Sequence, residues 1–142
     1  IFKWRGSKRG TKAGDVAGCP NWKGHRLIGV DNKLHFASRL AWLYMTGEWP
    51  TEQVDHRDLN KGNNTWSNLR LATPSQNQWN QKAPRHNASG FKGVCWDKSR
   101  EKFMAYIGAN GKRRHLGYFD NAADAHAARC AAAAHLHGEF AR

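Results

Sequence analysis

The sequence predicts an α+β protein in two parts, each a small sheet carrying a short helix. Three observations point to it. Strand-like runs set off by turn residues occur at 22–35, 53–56 and 93–119. Helical start and stop signals bracket 37–45 and 74–82, and also the segment between Asn121 and Gly138. Between the parts, the polar stretch Lys82–Gly90 holds Pro84, Asn87 and Gly90 and reads as a linker. The expected layout is a basic arm over 1–21, a first domain over 22–82, a linker over 83–88 and a second domain over 89–142. A length of 142 residues suits one ordinary domain or two very small ones.

Residues 1–12 place Lys3, Arg5, Lys8, Arg9 and Lys12 among glycines. A solvated arm and an arm laid on phosphates are both open. From Trp22 to His35, apolar residues bracket Asp31-Asn32, predicting a hairpin centred on Gly29–Lys33. Ala37–Met45 suits a short helix stopped by Thr46-Gly47, with Pro50 beyond. Gln53–His56 is a brief strand, Arg57–Asn64 a polar loop, and Trp66–Leu71 one or two helical turns. Thr73-Pro74-Ser75-Gln76 starts a helix to about Lys82, with a capping residue, a proline at the first position and a glutamine at the third. Trp42, Trp49, Trp66 and Trp79 are expected in the core.

Past the linker come three strands, Gly93–Asp97, Phe103–Ile107 and Arg113–Phe119, with turns at Lys98–Glu101 and Asn110-Gly111. Asn121 caps an alanine-rich helix, with Asp124 at its third position. Ala125, Ala128, Ala132 and Leu136 form a stripe of mostly small residues, so the helix can lie close to the sheet. Strand alternation then sends Val94, Trp96, Ala105 and Ile107 towards the helix. Cys95, Asp97, Tyr106, Arg113 and His115 fall on the opposite face.

Charge narrows the function. There are 23 Lys and Arg against 11 Asp and Glu, a formal +12. The excess is spread along the chain, with 13 basic and 6 acidic residues before Pro84 and 10 and 5 after it. Such a chain suits a polyanion, since Lys and Arg displace counterions from phosphate. A membrane is the weaker partner, because no apolar run approaches the roughly 18 residues a span needs. Cys19, Cys95 and Cys130 are odd in number and far apart, which argues against a disulfide framework or four-cysteine zinc site and fits a reducing cytoplasm. The sequence opens at Ile1 without a methionine, so targeting is only partly legible.

The chemistry concentrates in Gln53–Arg70. Asp55-His56 stands at a strand end, Asn64 follows eight residues after the histidine, and Asn68 four after that. Phosphodiester hydrolysis needs a base for water and a cation on the phosphate. A neutral imidazole, with an ordinary pKa near 6.5, supplies the first. A carboxylate with an amide oxygen supplies hard ligands for the second. Adjacent strand residues point to opposite faces, so Asp55 and His56 can share a site only where the strand ends or twists.

Asp55-His56, Asn64 and Asn68-Leu69-Arg70, preceded by Arg39–Pro50, resemble the HNH (ββα-metal) motif of phage homing-type endonucleases over about residues 22–82. The resemblance implies a ββα-metal unit that hydrolyses double-stranded DNA to a 3′-hydroxyl and a 5′-phosphate. His56 would be the general base and Asn64 its brace, with Asp55 and Asn68 as ligands of a single Mg²⁺ or Mn²⁺. Arg70, Asn77 and Asn80 are the candidate DNA contacts of this part. Two departures stand out: Ser38 where many relatives have histidine, and Asn63 where an aspartate is common.

The last part resembles the APETALA-type (ethylene-response-factor) DNA-binding domain. Ser89–Lys98, Gly111–Asp120 and the helix ending His137–Ala141 carry the likeness, with Phe103 where tryptophan is usual. It implies a three-stranded antiparallel sheet packed on one helix, its free face in the major groove. Arg113 is the expected base contact, Tyr106 and His115 share its face, and Lys92, Lys98, Arg100, Lys112 and Arg114 should meet phosphates near strand ends. The nuclease part alone, ending near Lys82, is expected to retain unspecific nicking. The family likeness suggests a phage or prophage gene product in the cytoplasm of a bacterial host. Oligomeric state, target sequence, and nicking against double-strand cleavage stay open. The rival readings are a non-catalytic DNA-binding protein that kept the fold and, less favoured, an RNA-directed nuclease. The other histidines, His25, His35, His126, His135 and His137, read as surface or helix-end residues.

Overall fold

A computed structural model describes residues 1–7, 10–83, 87–109 and 111–141. Lys8 and Arg9 of the arm, Pro84 of the linker and Asn110 of the second turn lie outside them. The chain divides into two compact units, Ile1–Pro74 and Ser75–Arg142.

In the first unit, β1 (Cys19–Pro20), β2 (Arg26–Val30) and β3 (Lys33–Phe36) form an antiparallel sheet in that order. The β2–β3 turn is the predicted one, with Asp31 and Asn32 both at positive φ, as a two-residue hairpin turn demands. Helix α1 (Ala37–Thr46) follows at once and ends at Gly47, whose φ of 79° lets its N–H reach the Leu43 carbonyl at 2.8 Å. Ala37, Ser38 and Ala41 are its buried face.

The N-terminal segment is no arm in the described residues. Lys3 pairs with Val16, and Phe2 and Trp4 pack on the core of Ala17, Ile28 and Ala37. Burying a side chain such as Ile28 stabilises by about 1.5–3 kcal/mol. The basic residues had masked the apolar ones between them.

β4 (Gln53–His56) pairs antiparallel with β5 (Leu69–Ala72). The helical reading of Trp66–Leu71 is corrected: only Trp66–Asn68 makes one 3₁₀ turn, and the rest is strand. Its apolar residues fit either period, and pairing with β4 decides for the strand. Trp49 and Trp66 lie at the surface, 45% and 41% exposed. Trp49 stacks on His35, and Trp66 meets Trp42.

Helix α2 (Pro74–Trp79) is shorter than expected. In the second unit β6 (Val94–Asp97), β7 (Lys102–Ala109) and β8 (Lys112–Phe119) form the expected antiparallel sheet, in that order, packed on α3 (Ala122–His137). Its core is Val94, Ala105 and Ala125, with Phe91, Phe103, Leu116 and Phe119 around it. Trp96 is 46% exposed, against expectation, and meets Phe103 edge-on. Gly93 sits where a β-carbon would lie 2.5 Å from the Tyr106 carbonyl oxygen, at a φ of +72°, so no larger residue fits. Asn121 accepts the Asp124 N–H as the cap. The buried stripe of α3 is Ala125, Arg129, Ala133 and His137, not the stripe through Leu136. Arginine and histidine disguise that face in sequence.

Candidate active site

β4 ends in two buried polar residues, Asp55 and His56, 5% and 4% exposed. Each is held differently. Asp55 lies opposite Arg70 in the β4–β5 register, and Arg70 Nε–H donates to Asp55 Oδ2 at 2.8 Å. Arg70 is itself only 5% exposed. Its expected role as a DNA contact is corrected: it is a buried partner of the carboxylate.

His56 Nε2 lies 3.1 Å from Asn64 Oδ1. Asn64 Nδ2 donates to the Gly62 carbonyl at 3.2 Å, which turns the amide so that its oxygen faces the imidazole. His56 Nε2–H therefore donates, and in the neutral ring Nδ1 carries the lone pair.

The loop between β4 and β5 is stitched by short polar side chains. Asn68 Oδ1 accepts the Asp58 N–H at 3.0 Å, while its Nδ2 donates to Asp58 Oδ1 and the Asn63 carbonyl. Asp58 in turn accepts from Asn60 N–H and Asn63 Nδ2. Partial desolvation raises the Asp58 pKa, but the Asn63, Asn68 and Asn60 hydrogen bonds outweigh it and hold the carboxyl below its ordinary value. Both Nδ2 protons of Asn68 and one acceptor position of its Oδ1 are thus engaged inside the loop. Asn63, at the position where aspartate is common, serves this network by its own amide.

Sequence reasoning missed two residues here. Asp58 was findable, because Asp58, Asn60 and Asn63 have the spacing of chained Asx turns. His25 was not. It lies 5.9 Å from His56 between ring centres and edge-on to Phe36 at 5.1 Å. Only the folding of β2 beside the loop brings it there.

Among the described residues, no group of three or more His, Cys, Asp and Glu gathers as a metal cage would. Of the expected ligands, Asp55 offers a carboxylate. Amide or carbonyl oxygens and water would have to complete it, chemistry that suits Mg²⁺ rather than zinc.

Three more expected DNA contacts are partly or fully buried in the second unit. Lys92 Nζ donates to the carbonyls of Gln78, Trp79 and Gln81 at 3.3, 2.5 and 2.7 Å. It is a cap on the α2 C-terminus. Asn80 is 2% exposed, and Asn77 is half-buried on α2. By contrast, the sheet face away from α3 does carry an aromatic and basic set. The Arg113 guanidinium lies over Tyr106 at 4.3 Å, and Tyr106 pairs with His115. Arg100 lies over Tyr118 at 4.9 Å and also meets Asp97 at 3.5 Å. Lys98 and Lys112 are exposed at strand ends. Arg114 is exposed too, but pairs with buried Ile107, so its side chain alternates to the helix side.

A buried histidine and a buried carboxylate thus end one strand of the pair, with an amide holding the imidazole. The HNH endonuclease family profile matches residues 35–79, from β3 to the end of α2, and the chain belongs to that family. It is 40% identical over 89 residues to "Protein 3.8" of Escherichia phage T7, covering 63% of this chain and 73% of that one. It is 37% identical over 100 residues to an uncharacterized HNH endonuclease of Acanthamoeba polyphaga mimivirus, covering 70% of this chain and about half (51%) of that one. No solved structure matches the chain. Among the described residues, no helix is long and apolar enough to cross a membrane.

Proposed function

We propose that the chain is a metal-dependent endonuclease that hydrolyses phosphodiester bonds of double-stranded DNA. The observation that carries this reading is the His56–Asn64–Gly62 relay, which leaves His56 Nδ1 as the basic nitrogen of a buried imidazole. His56 takes a proton from the attacking water at that atom, and Asn64 Oδ1 holds the ring and steadies the charge it gains. Asp55 would hold one Mg²⁺ or Mn²⁺, which when bound polarises the phosphate and steadies the leaving oxygen. Asn68 acts at one remove, by fixing the loop that carries Asn64.

The sheet face bearing Arg113, Tyr106, His115 and Arg100 reads duplex DNA in this account. Arg113 is the base contact, since a guanidinium pairs with the guanine edge in the major groove. Lys98 and Lys112 follow the phosphates.

One observation favours a non-catalytic DNA binder instead. The Asp55–Arg70 ion pair already neutralises the carboxylate, which weakens its pull on a cation. Supercoiled plasmid incubated with purified protein in Mg²⁺, in Mn²⁺ and in EDTA decides between them. Nicking or linearisation that needs the metal, and that Asp55→Asn abolishes, supports the nuclease. Binding without cleavage in either metal supports the rival.

A further inference from the structure

The turn before β2 lies against the loop that carries Asn64, and none of the chemistry above uses it. One asparagine builds this turn. Asn21 Oδ1 accepts the N–H groups of Lys23 and His25, both at 3.0 Å, while Asn21 N–H donates to the His25 carbonyl at 2.7 Å. Gly24 closes it at a φ of +85°, and a β-carbon there would stand 4.0 Å from that of Lys61. The turn is therefore seated on the 60–62 stretch of the loop.

What it presents is unusual for a free surface. Trp22 is 88% exposed, with Lys23 Nζ 4.7 Å from its ring centre. His25 points inward to His56. Burial lowers the His25 pKa first, and the charges of Lys61, His56 and Lys23 all push it the same way. Two cations, Lys23 and Lys61, and two imidazoles, His25 and His56, thus lie around this turn, beside an exposed indole. Like charges repel, and most of the indole stays in water. A chain of phosphates with flat rings attached relieves both.

Given the nuclease reading above, on which this rests, we infer that the turn Asn21–His25 is a second substrate-contact element beside the catalytic histidine. A phosphate neighbouring the scissile one sits among Lys23, His25 and Lys61, and Trp22 stacks on an adjacent base. These residues bind and orient the strand; the proton transfer stays with His56. The turn thereby fixes which phosphodiester is presented, while the C-terminal sheet fixes the site on the duplex.

The test is made on the full chain, in two arms. Equilibrium binding to a labelled duplex in EDTA, over a series of salt concentrations, needs no catalysis. Trp22→Ala should weaken binding roughly fivefold or more, and Trp22→Phe should restore most of it, because a phenyl ring still stacks. Lys23→Ala and Lys61→Ala should each lower the salt slope by about one. Steady-state cleavage in Mg²⁺ should then place the loss on KM rather than kcat. Unchanged affinity and salt slope in Trp22→Ala, Lys23→Ala and Lys61→Ala would overturn the inference, even with cleavage intact. A chain that cuts in no metal, yet still loses affinity through these variants, would overturn the nuclease reading and keep the turn as a contact.

Discussion

Arg70 donates from Nε to Asp55 Oδ2 at 2.8 Å across the β4–β5 ladder, and the two are opposed residues of the register. Both side chains are only 5% exposed. A buried pair of this kind is costly to break from one side, because the remaining charge stays desolvated.

Arg70→Ala should therefore destabilise the first unit by about 3–5 kcal/mol, while Arg70→Met, which fills the volume, should cost no less while Asp55 remains ionised. The double variant Asp55→Asn/Arg70→Met should recover much of the loss. Denaturant unfolding midpoints of these variants and of Asp55→Asn alone measure this. Additive losses in the double variant would show that the pair is not coupled.

That pair marks the limit of what the sequence made legible. Asp55, His56 and Asn64 were readable because their spacing is local and their chemistry is of one kind. Arg70 was read as a DNA contact, since its partner lies fifteen residues away and its own strand was read as helical turns. The same holds for the second unit. Its strands and cap were legible from alternation, turns and Asn121. The buried face of α3 was not, because Arg129 and His137 stand where a pattern of apolar residues was sought. Trp22 and His25 needed the tertiary fold to acquire a neighbour at all.

Helix α2 closes the family match at residue 79, and two of its partners lie further along the chain. Lys92 caps it, and Trp79 stacks on His137 at 4.1 Å and 8°. A chain ending at Lys82 loses both partners, so the unspecific nicking expected of it should be weakened. Lys92→Met in the full chain should cost about 1.5–3 kcal/mol, the range for a hydrogen bond to a charged group. Thermal melts and a plasmid assay of the truncation check this; full activity without residues 83–142 would show that α2 needs neither.

The second unit should be acid-sensitive through His137. Burial lowers its pKa most, against the hydrogen bond from Nε2–H to the Gly108 carbonyl, and Arg129 and Lys92 lower it further. The unfolded chain thus binds a proton more readily than the folded one, and stability falls as pH drops below about 6.5, levelling off beneath the folded value. His137→Phe keeps a ring on Trp79 and removes the titration. Its melting temperature should fall less between about pH 7.5 and about pH 5.5, on either side of the unfolded pKa near 6.5. His25 shifts the same way, so the slope is reduced rather than abolished. An equal slope in His137→Phe and the wild type would remove His137 from this role.

Asn64→Ala frees the imidazole from the amide that sets its tautomer. Cleavage should slow, with the loss on kcat, and Asn64→Asp should recover part of it because a carboxylate still accepts the Nε2 proton. The pH profile of kcat should move between these two variants. An unmoved profile would leave Asn64 as a loop residue only.

The most direct measurement compares the wild type with His56→Ala on supercoiled plasmid in Mg²⁺, alongside duplex affinity in EDTA. The account predicts a rate lower by roughly 10²–10⁴, the worth of a positioned general base, with affinity changed little. Cleavage by His56→Ala at the wild-type rate would contradict it.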